Sequence, residues 1–239
     1  MLTNNIYLMD ILAPRVAKSA LPGQFIIIRN TEVGERIPLT VADCNPEAGT
    51  VTIVVQAIGK STIELSKFEA GDTIADFVGP LGIPTELKQH KRVLGIAGGV
   101  GSAPLFPQLR KLAEMGVEVD CIIGGRSTPY VLWEDRMKEF CKNVYVATND
   151  GSYGTQGFVT TVLNELIAKG EQYDEVIAIG PVVMMKSVVD VTKPLNIPTM
   201  VSLNPVMVDG TGMCGGCRVT VGVKVKFACV DGPDFYGFD

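Results

Sequence analysis

The sequence predicts a multi-module fold: a small antiparallel β-barrel, then a doubly wound α/β domain, then a short cysteine-rich module. Three observations carry this. Short β-branched runs broken by turn residues fill residues 6–78. After Leu87, apolar strand-like runs alternate with helical stretches, and from Ser202 the composition turns to glycine and cysteine. The expected bounds are 1–87, 88–200 and 201–239. No long linker, repeat or low-complexity tract separates them.

In the first module the runs Ile6 to Ile11, Phe25 to Arg29, Leu39 to Asp43, Thr50 to Gln56 and Thr73 to Val78 read as strands. Pro22-Gly23, Asn45-Pro46 and Ala70-Gly71-Asp72 supply the turn chemistry between them. In the second module Val93 to Ala97, Val119 to Ile123, Val144 to Thr148 and Val176 to Ile179 are apolar enough to be buried parallel strands. Pro104 to Met115, Trp133 to Cys141, Phe158 to Lys169 and Met184 to Thr192 are the crossover helices. In the third, Arg218 to Val221 and Lys224 to Ala228 are short strand-like runs.

Composition narrows the function. With 239 residues and 46% hydrophobic content, the chain can bury a sizeable core. A net charge of −5 argues against a nucleic-acid groove, since phosphate binding needs clustered Lys and Arg. The short basic run Lys88 to Arg92, with the single histidine His90 inside it, reads as a solvated connector. No stretch approaches the roughly 18 apolar residues of a membrane span. Met1 to Asp10 lacks a secretory pattern, so the expected location is cytoplasmic.

Six cysteines in a chain of this length do not make a disulfide framework, and Cys214, Cys217 and Cys229 crowd the end. The loop Asp209-Gly210-Thr211-Gly212-Met213-Cys214-Gly215-Gly216-Cys217 can fold tightly and aim backbone N–H groups at inorganic sulfides. Three thiolates are one short of the four that a two-iron cluster takes. In loops of the form Cys-x4-Cys-x2-Cys the first ligand stands five residues before the second, and Asp209 occupies that place. The candidate metal ligands are therefore Asp209, Cys214, Cys217 and Cys229. A zinc knuckle, or reduced cysteines that merely pack, is the alternative.

These residues resemble the electron-transfer subunits of bacterial dihydroorotate dehydrogenase and of NADH-dependent ferredoxin–NADP reductase. The first family carries four cysteines in the loop. The second has an Asp in the first place, and Met213 to Cys217 and Phe227 to Pro233 are more similar to it. The resemblance covers nearly the whole chain and implies a ferredoxin-reductase-like architecture. Its β-barrel would bind FAD, its α/β domain NAD(H), and its third module a two-iron two-sulfur cluster.

In the barrel, Pro22-Gly23-Gln24-Phe25 and Arg36-Ile37-Pro38-Leu39-Thr40 resemble the superfamily's flavin signature. The resemblance makes Arg36 a partner for the pyrophosphate and sets Pro38, Leu39 and Thr40 along the flavin ring. Taken alone, Arg-x-Pro-x-Thr could sit at any strand end. Val54, Val55, Gln56, Gly59, Ser61 and Thr62 follow at the spacing of the superfamily's other flavin contacts, or else Ser61 and Thr62 simply cap a surface helix.

In the second module Ala97-Gly98-Gly99-Val100-Gly101-Ser102-Ala103-Pro104 follows a strand and opens a helix, the context in which a glycine-rich loop binds phosphate. It resembles the nicotinamide-nucleotide site of ferredoxin reductases, with Gly98, Gly99, Gly101, Ala103 and Pro104 as the matching positions. Arg126, Asp150, Gly180 and Pro181 lie just past other strand ends, where ligands of doubly wound sheets bind. Asp150 would repel a 2′-phosphate and accept from a ribose hydroxyl, which favours NAD. Arg126 pulls toward NADP, unless it pairs with an acidic neighbour such as Glu134.

The expected activity is that of an NAD(P)H-dependent oxidoreductase subunit, with no residue needed as a general acid or base for hydride transfer. The resemblance adds a partner, a larger subunit with a second flavin and four-iron clusters. Ferredoxin and NADP would be the complex's other substrates in electron bifurcation. The alternatives are the dihydroorotate dehydrogenase electron-transfer subunit, and a non-catalytic subunit with zinc or nothing at the cysteines. Family members run on past Asp231-Gly232-Pro233 into a tail, whereas this sequence stops at Asp239.

Overall fold

The computed structural model describes residues 1–238. They fall into two compact units, one of residues 1–85 and 203–234, the other of residues 86–202 and 235–238. The cysteine-rich segment thus lies in the same unit as the barrel.

The first unit begins with β1 (Ile6–Leu12), α1 (Pro14–Ser19), β2 (Phe25–Arg29), β3 (Arg36–Thr40), β4 (Asp43–Asn45), β5 (Thr50–Gln56), α2 (Lys60–Leu65) and β6 (Asp76–Leu81). Two three-stranded antiparallel sheets, β1-β5-β4 and β3-β2-β6, enclose one core. Strand β5 shows why: Val51, Ile53 and Val55 alternate inward with Thr52, Val54 and Gln56 outward, the period of a strand with one buried face. The single run expected over Leu39 to Asp43 is two strands in different sheets, because the chain turns at Val41 and Ala42, both buried. The run expected from Thr73 begins at Asp76 instead.

The second unit holds β7 (Arg92–Gly98), α3 (Ser102–Glu114), β8 (Glu118–Gly125), α4 (Glu134–Lys138), β9 (Asn143–Thr148), β10 (Thr155–Gln156), α5 (Val159–Ala168), β11 (Glu175–Ile179), α6 (Val182–Thr192) and β12 (Thr199–Ser202). Helix α4 is shorter than its apolar pattern suggests, since Trp133 enters it with φ of 62° and sets its ring against Phe106. In the cysteine-rich segment β13 (Arg218–Val221) and β14 (Lys224–Phe227) form a hairpin, followed by α7 (Ala228–Asp231) and β15 (Asp234–Tyr236).

The large sheet runs β10-β9-β8-β7-β11-β12-β15, and β7 pairs in parallel with both β8 and β11. The strand order therefore reverses at β7, and the crevice beyond its carboxyl end is the expected ligand position. Gly95 lets α3 close on β7, because a Cβ there would come within 2.5 Å of Leu109 Cδ1. His90 is a half-buried residue and not a solvated one: its Nε2 lies 3.4 Å from Oε2 of the buried Glu175. Among the described residues no helix is long and apolar enough to cross a membrane.

Candidate cofactor and cluster sites

The cysteine loop is shaped by glycines in the left-handed region. Gly210, at φ 73°, presses so closely on the barrel that a Cβ would stand 2.8 Å from Leu81 Cδ1 and 3.0 Å from Ile27 Cγ1. Beside it, Asp209 Oδ2 accepts from the Thr211 hydroxyl at 2.9 Å and the Met213 N–H at 3.0 Å. Its Oδ1 accepts from the Cys214 thiol at 3.0 Å. The Cys214 thiol, then Thr211, hold this carboxyl well below the usual carboxylate range, so it is anionic at neutral pH.

Cys217 and Cys229 form a second pair, with sulfurs 3.2 Å apart, and the Cys229 N–H points at Cys217 Sγ. Both are buried, whereas Cys214 is exposed. Burial, with the neighbouring Cys217 thiol adding to it, pushes the Cys229 thiol up to about 11. Asp231 sets the turn that presents Cys229 by accepting from the Phe227 N–H at 2.7 Å and from Lys226 at 3.1 Å. The four expected ligands are therefore arranged as two pairs. Among the described residues no three or more His, Cys, Asp or Glu side chains gather as a site for a single metal ion.

On the barrel, β3 lies against β5, which brings the two stretches of flavin candidates together. Pro38 is tolerated because β3 is an edge strand. Arg36 donates through Nε to the Val208 carbonyl at 2.8 Å and lies 3.2 Å from Asp76 Oδ2 through Nη1. Val54 and Gln56 face away from the core, but the Val55 side chain is buried within it, leaving that residue only its backbone to offer. At α2 the Ser61 hydroxyl donates to Glu35, and the Thr62 hydroxyl receives the Ile58 and Gly59 N–H groups. Asn30, beneath this turn, donates to the Ser61 carbonyl and to Glu64 and keeps a buried Oδ1 without a partner. Sequence reasoning missed Asn30, Glu35 and Asp76, since a polar residue near a strand end is an unremarked pattern.

In the second unit the loops after β7 and β11 meet. A Cβ on Gly98 would stand 2.5 Å from Met184 Sδ and 3.0 Å from Pro181 Cδ. One on Gly101 would stand 2.1 Å from the Ile179 carbonyl oxygen. Gly99 takes φ of 55°, Ala103 is buried and Pro104 half-buried, and the Ser102 hydroxyl at the start of α3 is buried without a partner. Gly98, Gly101, Gly180 and Pro181 thus form one tight junction at the switch point.

Arg126 and Asp150 lie on adjacent loops, joined by the Asp150 N–H to the Arg126 carbonyl at 3.3 Å. Arg126 lies over the Tyr130 ring, and Glu134 is taken by Lys138 and the Tyr153 hydroxyl. The Ser152 hydroxyl and N–H hold the Asp150 carboxyl below its usual range, so a negative charge stands there at neutral pH.

Residues 204–239 match the iron-sulfur cluster binding domain of dihydroorotate dehydrogenase B, and residues 96–190 match the oxidoreductase NAD-binding domain. An uncharacterized protein of Clostridium beijerinckii is 56% identical over 99% of this chain and 82% of its own. A dihydroorotate dehydrogenase B (NAD(+)) electron transfer subunit homolog of Thermotoga maritima is 48% identical, covering 94% of this chain and 79% of its own. A structure of NADH-dependent reduced ferredoxin-NADP oxidoreductase superposes with a TM-score of 0.95 at 45% identity, over 100% of this chain and 86% of that one. A ferredoxin reductase of carbazole 1,9a-dioxygenase shares the fold at 20% identity and a TM-score of 0.66. The chain belongs to the family of dihydroorotate dehydrogenase B electron transfer subunits and their homologues, and it is an oxidoreductase subunit of ferredoxin-reductase-like fold.

Proposed function

We propose that this chain carries electrons between NAD(H), FAD and a two-iron two-sulfur cluster and a larger flavin and iron–sulfur subunit. The complex is an electron-bifurcating oxidoreductase of the ferredoxin–NADP reductase type. The observation that carries the reading is the pairing of Asp209 with Cys214 and of Cys217 with Cys229. Each iron of such a cluster takes two protein ligands, whereas a tetrahedral zinc site gathers four donors round one ion. The carboxylate in the first ligand position favours the ferredoxin–NADP type over the four-cysteine type.

Asp209, Cys214, Cys217 and Cys229 would hold the cluster. Arg36, Pro38, Leu39 and Thr40 with Val54 to Gln56, Gly59, Ser61 and Thr62 would hold the flavin. Gly98, Gly99, Gly101, Ala103, Pro104, Gly180 and Pro181 let a dinucleotide approach the backbone, and Asp150 selects NAD by accepting from ribose and repelling a 2′-phosphate. When bound, the flavin supplies the exchange between two-electron nicotinamide chemistry and one-electron cluster chemistry. We place the chain in the cytoplasm, where reducing conditions keep thiolates available as cluster ligands.

The test is EPR with iron and zinc analysis on anaerobically purified, dithionite-reduced protein, wild type beside Asp209→Ala and Asp209→Cys. We expect about two irons per chain and a rhombic signal that shifts in the Cys variant and weakens in the Ala variant. Zinc without iron, or spectra indifferent to position 209, would sink the assignment. The second reading, a dihydroorotate dehydrogenase electron-transfer subunit, is favoured by the 48% identical relative of that name. NADH-dependent reduction of orotate by the complex, with no coupling to ferredoxin, would establish it.

A further inference from the structure

We infer that Arg36 is a positioning residue for the cluster loop: it stands on the flavin-binding strand and anchors the backbone that carries Asp209. This rests on the cluster reading of the preceding section and adds to it a role that the flavin signature does not contain.

Two guanidinium groups meet on the barrel. In the β2–β3 pair Arg36 stands directly opposite Arg29, and like charges in that relation repel. In the β2–β6 pair Asp76 stands opposite Arg29 on the other side. Asp76 Oδ2 receives Arg29 Nε at 2.7 Å and Arg36 Nη1 at 3.2 Å, so one carboxylate serves both guanidinium groups, and Glu32 Oε2, 3.5 Å from Arg29 Nη2, adds a second negative charge on the Arg29 side. Arg29 is held further by the Glu32 carbonyl, 2.5 Å from its Nη1. Arg36 is thereby fixed at one edge of its fork by Asp76. Its Nε is turned across the barrel surface to the carbonyl of Val208, a residue 172 positions away.

Val208 immediately precedes Asp209, and Gly210 immediately follows it. Asp209 therefore sits between two anchors, the Arg36 bond at residue 208 and the close packing of Gly210 on Ile27 and Leu81. With both in place its carboxylate is aimed at Cys214. With the first removed, residue 208 loses its tie to β3, and what remains is the glycine contact and the bonds that Asp209 makes within its own loop. A lysine cannot replace the arrangement, because a single ammonium lacks the planar fork that reaches Asp76 and Val208 at once.

The experiment compares wild type, Arg36→Met and Arg36→Lys as purified holoprotein, with FAD counted by absorbance in each sample. Hydrogen–deuterium exchange is followed at residues 208–213, and EPR is recorded on the reduced protein. Methionine keeps the length and apolar stem but removes every donor. We expect exchange at 208–213 to rise about ten-fold in Arg36→Met, the scale of one lost charge-assisted hydrogen bond. A smaller rise is expected in Arg36→Lys, with shifted g-values in both.

Exchange and EPR like those of wild type in both variants, with FAD lost, would overturn the proposal and leave Arg36 to the flavin alone. If Arg36→Met fails to fold, Arg36→Lys decides: a loosened loop supports the tie, and an unchanged one overturns it. Absence of iron from the wild type would instead overturn the cluster reading, while the exchange data would still decide whether Arg36 holds the loop.

Discussion

The parallel sheet and the cysteine-rich segment reach order by different means. Around β7, β8 and β11 the side chains are almost wholly apolar and buried, with Leu105, Phe106, Leu109 and Leu112 of α3 packed on the strands. Burial at about 25 cal/mol per Å² is enough to specify such a structure without any ligand. From Leu203 onward many apolar residues are exposed, including Val206, Met213 and Val223. The backbone there is directed by left-handed glycines and by individual polar contacts at Asp209, Asp231 and Arg36. The lesson concerns where function can be altered cheaply. In the sheet a side chain matters by its volume, in the loop by its donors and acceptors.

Four substitutions test that contrast. The largest effect is expected from Cys217→Ser, which should abolish iron retention while leaving the far-UV circular dichroism unchanged; a collapse of the dichroism would show that the loop is also structural. Next, Leu109→Ala should cost about 2–5 kcal/mol in urea unfolding, the range for a fully buried leucine; under 1 kcal/mol would contradict the burial account.

Gly101→Ala isolates sterics, because φ of −60° suits any residue while the added Cβ would meet the Ile179 carbonyl. Its expected cost is about 1–3 kcal/mol of stability, with weaker NADH binding by fluorescence titration. Unchanged binding would remove this loop from the nucleotide site.

The smallest effect is a pH dependence. The Arg92 and Lys91 N–H groups hold the Asp174 carboxyl below its usual range. A depressed folded-state value contributes stability that is present above the unfolded value of about 3.9 and is lost as pH falls through the lower, folded one. Asp174→Asn should therefore be less stable than wild type at neutral pH, and the gap should close in acid. A gap that widens below pH ~4 would reverse the sign.

Legibility in the sequence followed the same division. Phe25–Arg29, Thr50–Gln56 and Arg218–Val221 were readable to the residue, since short runs rich in β-branched residues and bounded by turn residues leave little choice. Helix α1 and strands β12 and β15 were not read at all. The helix buries only Val16 and Ala17, and Asp234–Tyr236 has three residues, too few to show a period. The glycine-rich turn between β7 and α3 was readable from its strand–loop–helix context. That Val55 points into the core, or that Arg126 lies over Tyr130 and leaves Glu134 to Lys138, required the packed neighbours to be known.

Most strand positions, and the residue types that could ligate metal or approach a phosphate, were therefore legible from the sequence. Those properties depend on local pattern and on chemistry within a few residues. The tertiary structure decided how distant residues meet: Gly98 against Pro181, the junction of Asp209 with Ile27 and Leu81 through Gly210, and Arg36 with Val208. Such pairings follow from chain crossings and close packing, whose geometry arises only when the whole unit condenses round its core.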